Sequence, residues 1–412
     1  MSNYIKRDLE TELGKFLSLQ QILAIIGPRR SGKTTLIKRL QSMINGASYI
    51  SFENFKLLEL FASDLDNFIR AEIEPYDVII IDEFQYAKEG GKRLKYIYDL
   101  HPGKKIIISG SSSIDITVEA VKYLVGRILV FHLYPFNFGE FILARDNSLH
   151  GIYRDNKNLL EKGELPELSS NIKDRFNRLL SEYLIFGGYP EVVLAEDHTV
   201  KIKLLESIYS LYFLREVKDL LGLAENYKLK ILLKALALQI GNLIAYNELS
   251  SLSSSTALTV KNRLSLFENT FVSYSVTPFH TNKRTELVKN PKPYFFDPGF
   301  RNIVIDNFLK LENRQDTGAL RENFAANSLR TGGTLNFWRT KNGADVDFVR
   351  EIAGEVIPYE IKTRVYDTAI TTSLKNFISN YHPAKAYVFT LDFTGRAEFN
   401  GTEIYFVPLF LI

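Results

Sequence analysis

The segment from Gly27 to Thr34 has the residue types and the spacing to bind phosphate groups. Its sequence, GPRRSGKT, fits the pattern G-x-x-x-x-G-K-[ST] at every position. Glycines let the backbone approach phosphate, and successive N–H groups of such a loop point inward as an anion nest. We expect Lys33 to reach the β- and γ-phosphates of a nucleotide and the Thr34 hydroxyl to coordinate Mg²⁺. The expected nucleotide-binding residues are Gly27, Pro28, Arg29, Arg30, Ser31, Gly32, Lys33, Thr34 and Thr35.

Two carboxylates follow a second apolar run, DVIIID (77–82). Ligands of open α/β sheets bind at the edge where the strands end, so these acids would face the nucleotide. We expect Asp82 to hold Mg²⁺, directly or through water, and Glu83 to polarise the attacking water. The alternative is a strand that simply ends in solvated acids.

Further side chains could complete this site. KIIISGSSS (105–113) contains Ser109 and Ser111, and the hydroxyl of either could hydrogen-bond the γ-phosphate or the attacking water; a Ser-rich turn is the alternative. Arg127 could neutralise charge in cis or for a neighbouring subunit, although an ordinary surface arginine fits equally well. Arg29 and Arg30 could contact nucleotide, DNA or another domain.

A second group of charged residues lies near the C-terminus. Glu360 and Lys362 in IPYEIKT share one face of a predicted strand, because side chains two apart on a strand point the same way. A hairpin through REIAGE would let Asp347 meet Glu360 and share a divalent ion, with Lys362 acting on the water or the phosphate. Glu322, on the preceding predicted helix, could be a fourth member. The alternative is a fold of this kind that only binds.

The elements that must position the first site are strands and helices in alternation. ILAIIG (22–27), DVIIID and KIIISG are apolar on both faces, which is typical of parallel strands covered by helices on each side. SGKTTLIKRLQSMI (31–44) has apolar residues at helical spacing. Residues 145–171 are polar and turn-rich and predict a linker with a short helix at best. Helical patterns resume around 173–186 and 200–221.

The middle of the chain predicts a helix-turn-helix. An amphipathic helix over 227–240 precedes NELSSL, for which Asn247 is a plausible N-cap. A second helix would bury Ala257, Val260, Leu264 and Phe267, and strands in FVSYSVTPF and KPYFFD would flank a basic loop. Residues 201–300 hold 13 Lys+Arg against 8 Asp+Glu, a net charge of +5 that favours phosphate contacts. The outward face would present Thr256, Thr259, Lys261, Asn262 and Ser265.

The composition excludes several classes of protein. The 412 residues are 45% hydrophobic and 24% charged, unlike a disordered or coiled-coil chain. Cysteine is absent, which excludes disulfides, cysteine-ligated zinc and a cysteine nucleophile. We expect no signal peptide and no membrane span, and therefore a cytoplasmic protein. A net charge of +3 permits nucleic acid as a partner without arguing for it.

The ordered set GPRRSGKTTL, DVIIIDEFQ, SGSSS and VGR followed by HLYPFNFGEF resembles the AAA-type ATPases of prokaryotes. YLIFGGYPEVV, KNPKPYFFDPGFRN and GADVDFVREIAGEVIPYEIKTR resemble the C-terminal domain of unknown function in one branch of that family. The resemblance implies an ATPase core, a middle winged helix and a C-terminal fold similar to restriction endonucleases. The order E…D…ExK resembles the PD-(D/E)XK nucleases, which implies that Asp347 rather than Asp345 is the metal ligand.

We therefore expect an α/β chain: a P-loop NTPase parallel sheet with a helical lid, a winged helix and a restriction-endonuclease-like α/β domain. The expected segments are 1–145, 146–222, 223–305 and 306–412. The expected function is ATP hydrolysis with Mg²⁺ coupled to action on DNA, including cleavage at a Mg²⁺ or Mn²⁺ site. The alternative is a non-cleaving, nucleotide-dependent switch that binds DNA or a protein partner. A homo-oligomer is compatible with either function.

Overall fold

The computed structural model describes residues 4–111, 123–212, 226–280 and 289–412, and the structural statements below concern these ranges. The chain divides into two compact units. The first contains Met1–Phe136, Tyr189–Glu191 and Asn269–Phe271, and the second contains Asn137–Gly188, Val192–Glu268 and Val272–Ile412. The division into four segments stays a prediction.

The first unit contains a five-stranded sheet in which all neighbouring strands are parallel. Its strands are Ile22–Ile26 (β1), Ala47–Ser51 (β2), Val78–Asp82 (β3), Lys105–Gly110 (β4) and Ile128–His132 (β5). Its helices are Asp8–Gly14 (α1), Lys33–Met43 (α2), Phe55–Ser63 (α3), Leu65–Phe68 (α4) and Gly90–Leu100 (α5). The strand order is β2-β3-β4-β1-β5, so the predicted parallel sheet is confirmed.

Burial explains this arrangement. Every residue of β1 and of β4 is buried, as expected for central parallel strands with both faces covered. Helix α2 turns one apolar face to the sheet and α1 adds to the same core. The buried cluster on this face includes Leu9, Leu13, Leu23, Ile25, Leu36, Ile37, Leu40 and Ile107.

The helices that follow pack mainly within the second unit. They are Phe138–Arg145 (α6), Asn147–Glu161 (α7), Ser170–Phe186 (α8), Pro190–Leu194 (α9), His198–Leu211 (α10), Asn226–Leu238 (α11), Tyr246–Leu252 (α12), Ala257–Asn269 (α13), Pro298–Ile305 (α14), Thr317–Leu329 (α15) and Thr372–Tyr381 (α16). Within the described residues, no helix is both long enough and apolar enough to cross a membrane.

Two sequence-based expectations about helices are wrong. The supposed linker contains α7, a 15-residue helix that buries Leu149 and Tyr153 behind a polar outer face and begins at the Asp146 cap. Asn247 is not an N-cap, because α12 begins one residue earlier and Asn247 already lies in its first turn. The predicted helix over 200–221 is confirmed up to residue 211, and its last part lies outside the described residues.

The second unit also contains a mixed sheet of eight strands. They are Ser273–Pro278 (β6), Lys292–Phe295 (β7), Leu335–Arg339 (β8), Asp345–Ile352 (β9), Glu355–Ile361 (β10), Lys385–Thr390 (β11), Gly395–Phe399 (β12) and Thr402–Pro408 (β13). Their order is β12-β13-β11-β10-β9-β8-β6-β7. The predicted hairpin is confirmed, because Glu355 pairs with Ile352 across the turn between β9 and β10. The strands expected to flank a wing are β6 and β7; most of the basic loop between them lies outside the described residues.

Candidate functional site

The phosphate-type loop joins the end of β1 to the start of α2, as the sequence predicts. A side chain at Gly27 is excluded because a Cβ there would lie 2.0 Å from the Leu133 carbonyl oxygen. Gly32, the N-cap of α2, has φ of 95°, a conformation that favours glycine. The loop therefore leads directly into the N-terminus of α2, where main-chain N–H groups and the helix dipole favour an anion.

Lys33 is buried against this loop. Its ammonium donates hydrogen bonds to the carbonyl oxygens of Gly27 and Pro28, both at 2.8 Å. The charge therefore lies directly over the loop, which is the position from which a lysine meets phosphate oxygens. Its role toward the nucleotide stays a prediction.

Asp82, at the end of β3, is the centre of a polar network at the same edge of the sheet. One carboxylate oxygen accepts from the Thr34 hydroxyl at 2.9 Å, and the other accepts from the Ser109 hydroxyl. Three residues chosen from sequence are thus brought together. They meet because β4, which carries Ser109, lies between β1 and β3 in the sheet.

Tyr49 on β2 completes this network, and sequence reasoning missed it. Its hydroxyl donates to Asp82 Oδ2 at 2.8 Å, and burial together with this bond raises the pKa of the phenol. The donors that surround the carboxylate are neutral hydroxyls and the backbone N–H of Glu83. A buried carboxylate beside the Thr34 hydroxyl fits Mg²⁺, which prefers oxygen ligands and takes the rest from phosphates and water.

Glu83 follows Asp82 in a left-handed conformation, with φ of 57°. Such a backbone in a residue other than glycine is sparsely populated, and residues of this kind cluster at functional sites. The Gln85 amide donates to the Glu83 carboxylate and lies 3.2 Å from the Ser111 hydroxyl. Gln85 therefore fixes the orientation of the expected general base, a role that no sequence pattern indicated.

Arg7 supports the loop from outside the motif. Its guanidinium donates to the Ser31 carbonyl at 2.8 Å and to the Tyr134 carbonyl at 2.7 Å, and it lies over the Phe136 ring. Within the loop, Arg30 pairs with Glu191 at 2.6 Å. No sequence pattern predicted the contacts of Arg7 with the loop or the pairing of Arg30 with Glu191, because each joins segments that are distant in the chain.

Arg127 lies away from the loop. Its backbone carbonyl accepts from the Ile22 N–H at 2.8 Å, which places it at the edge where the strands begin. Its guanidinium pairs with Asp99 at 3.0 Å. Because the loop follows the opposite edge of this parallel sheet, a role for Arg127 in cis does not fit, and a role toward a neighbouring subunit stays a prediction.

The C-terminal residues chosen from sequence lie on α15, β9 and β10. Glu322 accepts a hydrogen bond from the Tyr294 hydroxyl, Asp347 accepts one from the Ile361 N–H at 2.8 Å, and Glu360 accepts one from the Thr371 hydroxyl at 2.7 Å. The second oxygen of Glu360 is buried without a hydrogen-bond partner.

These carboxyl groups influence one another. The pKa values of Glu322 and Glu360 are both raised to about 7, mainly by burial and also by the charge of Asp347, while Lys292 lowers that of Glu322 and Lys362 lowers that of Glu360. Burial also raises the pKa of Asp347, while Lys362 opposes the rise. Lys362 therefore lies within electrostatic range of both Asp347 and Glu360, as the strand pattern predicts.

The fit of a divalent ion to this cluster is poor. Across the four described ranges, no group of three or more His, Asp or Glu side chains is arranged to hold a metal ion. Glu322, Asp347 and Glu360 each accept a hydrogen bond from a different donor, and, unlike Asp82, Glu322 also has an ammonium, that of Lys292, at 3.3 Å. The assignment of these three residues as metal ligands stays a prediction.

The surface of the predicted helix-turn-helix is polar on α13. Val260, Leu264 and Phe267 are buried as predicted, whereas Ala257 is exposed because it is the first residue of the helix. Most of the outward side chains are exposed: Thr256, Lys261, Asn262 and Ser265, with Thr259 half-buried. Trp338, by contrast, is a buried residue of β8 that donates to the Tyr381 hydroxyl, so it is part of the core.

Comparison with known proteins agrees with this architecture. An "AAA domain" model matches residues 19–142, which contain the loop and the Asp82 network. Two models described as domains of unknown function (DUF8612 and DUF4143) match residues 177–308 and 317–409. The chain therefore carries an AAA-type P-loop ATPase domain followed by two domains of unknown function.

Its relatives span most of its length. An uncharacterized protein of Haemophilus influenzae is 24% identical over 97% of this chain and 96% of its own. An uncharacterized protein of Methanocaldococcus jannaschii is 25% identical over 84% of this chain and 74% of its own. Among solved structures, a Walker-type ATPase of Pyrococcus abyssi has a TM-score of 0.47 at 16% identity and covers 74% of this chain and 97% of its own.

Proposed function

We propose that this protein binds ATP and hydrolyses it. The observation that carries the proposal is the Asp82 carboxylate, hydrogen-bonded to Thr34 and Ser109 beside a complete phosphate-type loop. Thr34 and Asp82 would hold Mg²⁺, which would supply positive charge to neutralise the charge that develops on the phosphates. The loop N–H groups and Lys33 hold the phosphates, and Glu83 accepts a proton from the attacking water.

Two substitutions separate binding from hydrolysis. Lys33→Ala removes the ammonium over the loop and should abolish hydrolysis, whereas Glu83→Gln should retain ATP binding and lose turnover. Lys92→Ala is the control, because it removes an exposed ammonium from α5 in the same unit. Normal hydrolysis by Glu83→Gln would mean that the base is another residue. Undetectable ATP binding by the wild type would refute the proposal.

We also propose that the second unit binds DNA through the polar face of α13. This face lies on the second helix of a helix-turn-helix pattern, and such a helix places its outward side chains in the major groove. Lys261→Ala with Asn262→Ala should weaken binding to a DNA duplex and reduce its dependence on salt, measured by fluorescence anisotropy. Lys310→Ala, also on the exposed surface, serves as the control. Equal affinities would argue against this surface.

Between cleavage and binding alone, the C-terminal cluster favours binding. The expected metal ligands are engaged separately, and a buried lysine lies among the acids. The protein then acts as a nucleotide-dependent switch whose affinity for DNA or a protein partner differs between ATP and ADP. Assays of branched and linear DNA with Mg²⁺ or Mn²⁺ should show no cleavage. Cleavage that disappears in Asp347→Ala and Glu360→Ala would show that the unit is a nuclease.

A further inference from the structure

Lys292, on strand β7, is a buried lysine surrounded by acids. Its ammonium lies 3.3 Å from Glu322 Oε1 and 3.5 Å from Asp345 Oδ2, and its side chain is 4% exposed. Asp347 also acts on it electrostatically. Neither the sequence patterns nor the proposed ATPase and DNA-binding functions account for this residue.

The ammonium is held as a charged group. Two carboxylate oxygens, Glu322 Oε1 and Asp345 Oδ2, lie within 3.5 Å of its nitrogen, so the ammonium is paired with acids rather than isolated. The Phe337 ring lies 5.1 Å from the nitrogen and adds a cation–π contact. An uncompensated buried charge costs several kcal/mol, so this lysine and these carboxylates depend on one another.

A divalent metal would need the same carboxylate oxygens. Mg²⁺ binds oxygen ligands at about 2.0–2.1 Å in near-octahedral geometry, which requires several oxygens to converge on one point. Here the oxygens of Glu322 and Asp345 converge instead on the Lys292 nitrogen. We propose that Lys292 is the resident cation of this cluster, and that its ammonium takes the place of a divalent ion and keeps one out.

This arrangement has a clear consequence for the site. A covalently attached cation neutralises the acids at every metal concentration, so the second unit keeps its charge balance without recruiting Mg²⁺. Removal of the ammonium leaves Glu322 and Asp345 without the cation they share, next to Asp347, for which Lys362 is then the nearby cation. Such a cluster attracts a divalent cation, and Asp347 becomes essential for holding it.

The test measures Mn²⁺ binding by electron paramagnetic resonance on the full chain without nucleotide, so it does not depend on ATP hydrolysis. Lys292→Met keeps the length of the side chain and removes the charge. We expect Lys292→Met to have one Mn²⁺ site more than the wild type. At this site it should bind Mn²⁺ about tenfold or more tightly than the wild type does. Adding Asp347→Asn to this variant should abolish the gain.

The matched control is Lys105→Met. Lys105 is also a buried lysine, but its ammonium donates to three backbone carbonyls, those of Phe16, Leu19 and Gln21. Its removal should leave Mn²⁺ binding unchanged, because no carboxylate is uncovered. A gain in Lys105→Met equal to that in Lys292→Met would show that loss of any buried lysine suffices, and would overturn the proposal.

The wild type supplies a second test that needs no lysine variant. If Lys292 fills the site, wild type and Asp347→Asn should bind Mn²⁺ equally. Weaker binding by Asp347→Asn would show that the wild-type cluster already holds a metal ion, and would overturn the proposal even if Lys292→Met fails to fold. A folded Lys292→Met variant that gains no Mn²⁺ site would overturn it as well.

Discussion

Asp297 should make the second unit less stable as the pH rises, and Asp297→Asn should remove much of that dependence. The carboxylate caps α14 by accepting from the Phe300 N–H at 2.8 Å, and it also accepts from the Gly188 N–H at 2.7 Å. It is 2% exposed. Burial raises the pKa of Asp297 to about 6, even though these backbone bonds favour the charged form.

The sign and size follow from linkage. A carboxyl group whose pKa is higher in the folded state binds its proton more tightly there, so its contribution to stability is complete below the unfolded value of 3.8 and is lost as the pH rises through about 6. A rise of this size is equivalent to about 3 kcal/mol. Between about pH 4 and pH 8 the wild type should therefore lose about 2 kcal/mol more unfolding free energy than Asp297→Asn.

Urea unfolding followed by tryptophan fluorescence measures this difference. The sequence contains one tryptophan, Trp338, and it is buried in the same unit as Asp297. Asp297→Asn removes one hydrogen-bond acceptor at every pH. The test is therefore the slope of the unfolding free energy with pH, rather than its value at any one pH. Parallel pH profiles for wild type and Asp297→Asn would refute the argument.

A second helix cap provides a control of opposite sign. Asp197 caps α10 through the Val200 N–H at 3.0 Å but is exposed, and this hydrogen bond lowers the pKa of its carboxyl. Its contribution is therefore present at neutral pH and is lost as the pH falls. The destabilisation caused by Asp197→Asn should disappear at low pH. The difference in unfolding free energy between wild type and Asp297→Asn should instead change most between pH values near 4 and 8.

Two further predictions concern the ATP site. Gly27→Ala should reduce ATP affinity by about tenfold or more, measured by calorimetry, because its Cβ would lie 2.0 Å from the Leu133 carbonyl oxygen; Gly14→Ala, with nothing within 4 Å, should bind normally. Equal affinities would contradict the steric argument. Gln85→Leu should lower the hydrolysis rate and leave ATP affinity unchanged, because Gln85 holds Glu83 rather than the phosphates; a loss of affinity equal to the loss of rate would contradict this assignment.

The first unit was largely predictable because its signals are local. Buried parallel strands are apolar runs, and the phosphate-type loop is a continuous pattern whose spacing requires a strand before it and a helix after it. The meeting of Asp82 with Thr34 and Ser109 followed from one rule, that parallel strands end at the same edge. Tyr49 was not predicted, because which side chain of a neighbouring strand reaches a carboxylate depends on the register between the two strands.

Errors arose where polar residues cover a buried face. Helix α7 has enough charged and polar positions to suggest a linker, yet Leu149 and Tyr153 anchor it. Composition averages over both faces of a helix, whereas burial depends on one face. For Arg127 the sequence left a role in cis, a role toward a neighbouring subunit and an ordinary surface position open, because being close to a strand does not indicate a sheet edge until the direction of the strand is known.

Lys292 shows where a pattern of alternating side chains stops being informative. Periodicity assigns Asp347, Glu360 and Lys362 to faces of their own strands, and pairing within the hairpin of β9 and β10 brings the first two near each other. The cation that pairs with Glu322 and Asp345 comes from β7, which lies three strands from β9 in the order β9-β8-β6-β7. Its long side chain passes the Phe337 ring of β8 to reach Asp345. Periodicity indicates which face a side chain occupies but not which strand is its neighbour, so the charge balance of the cluster emerges only from the sheet order.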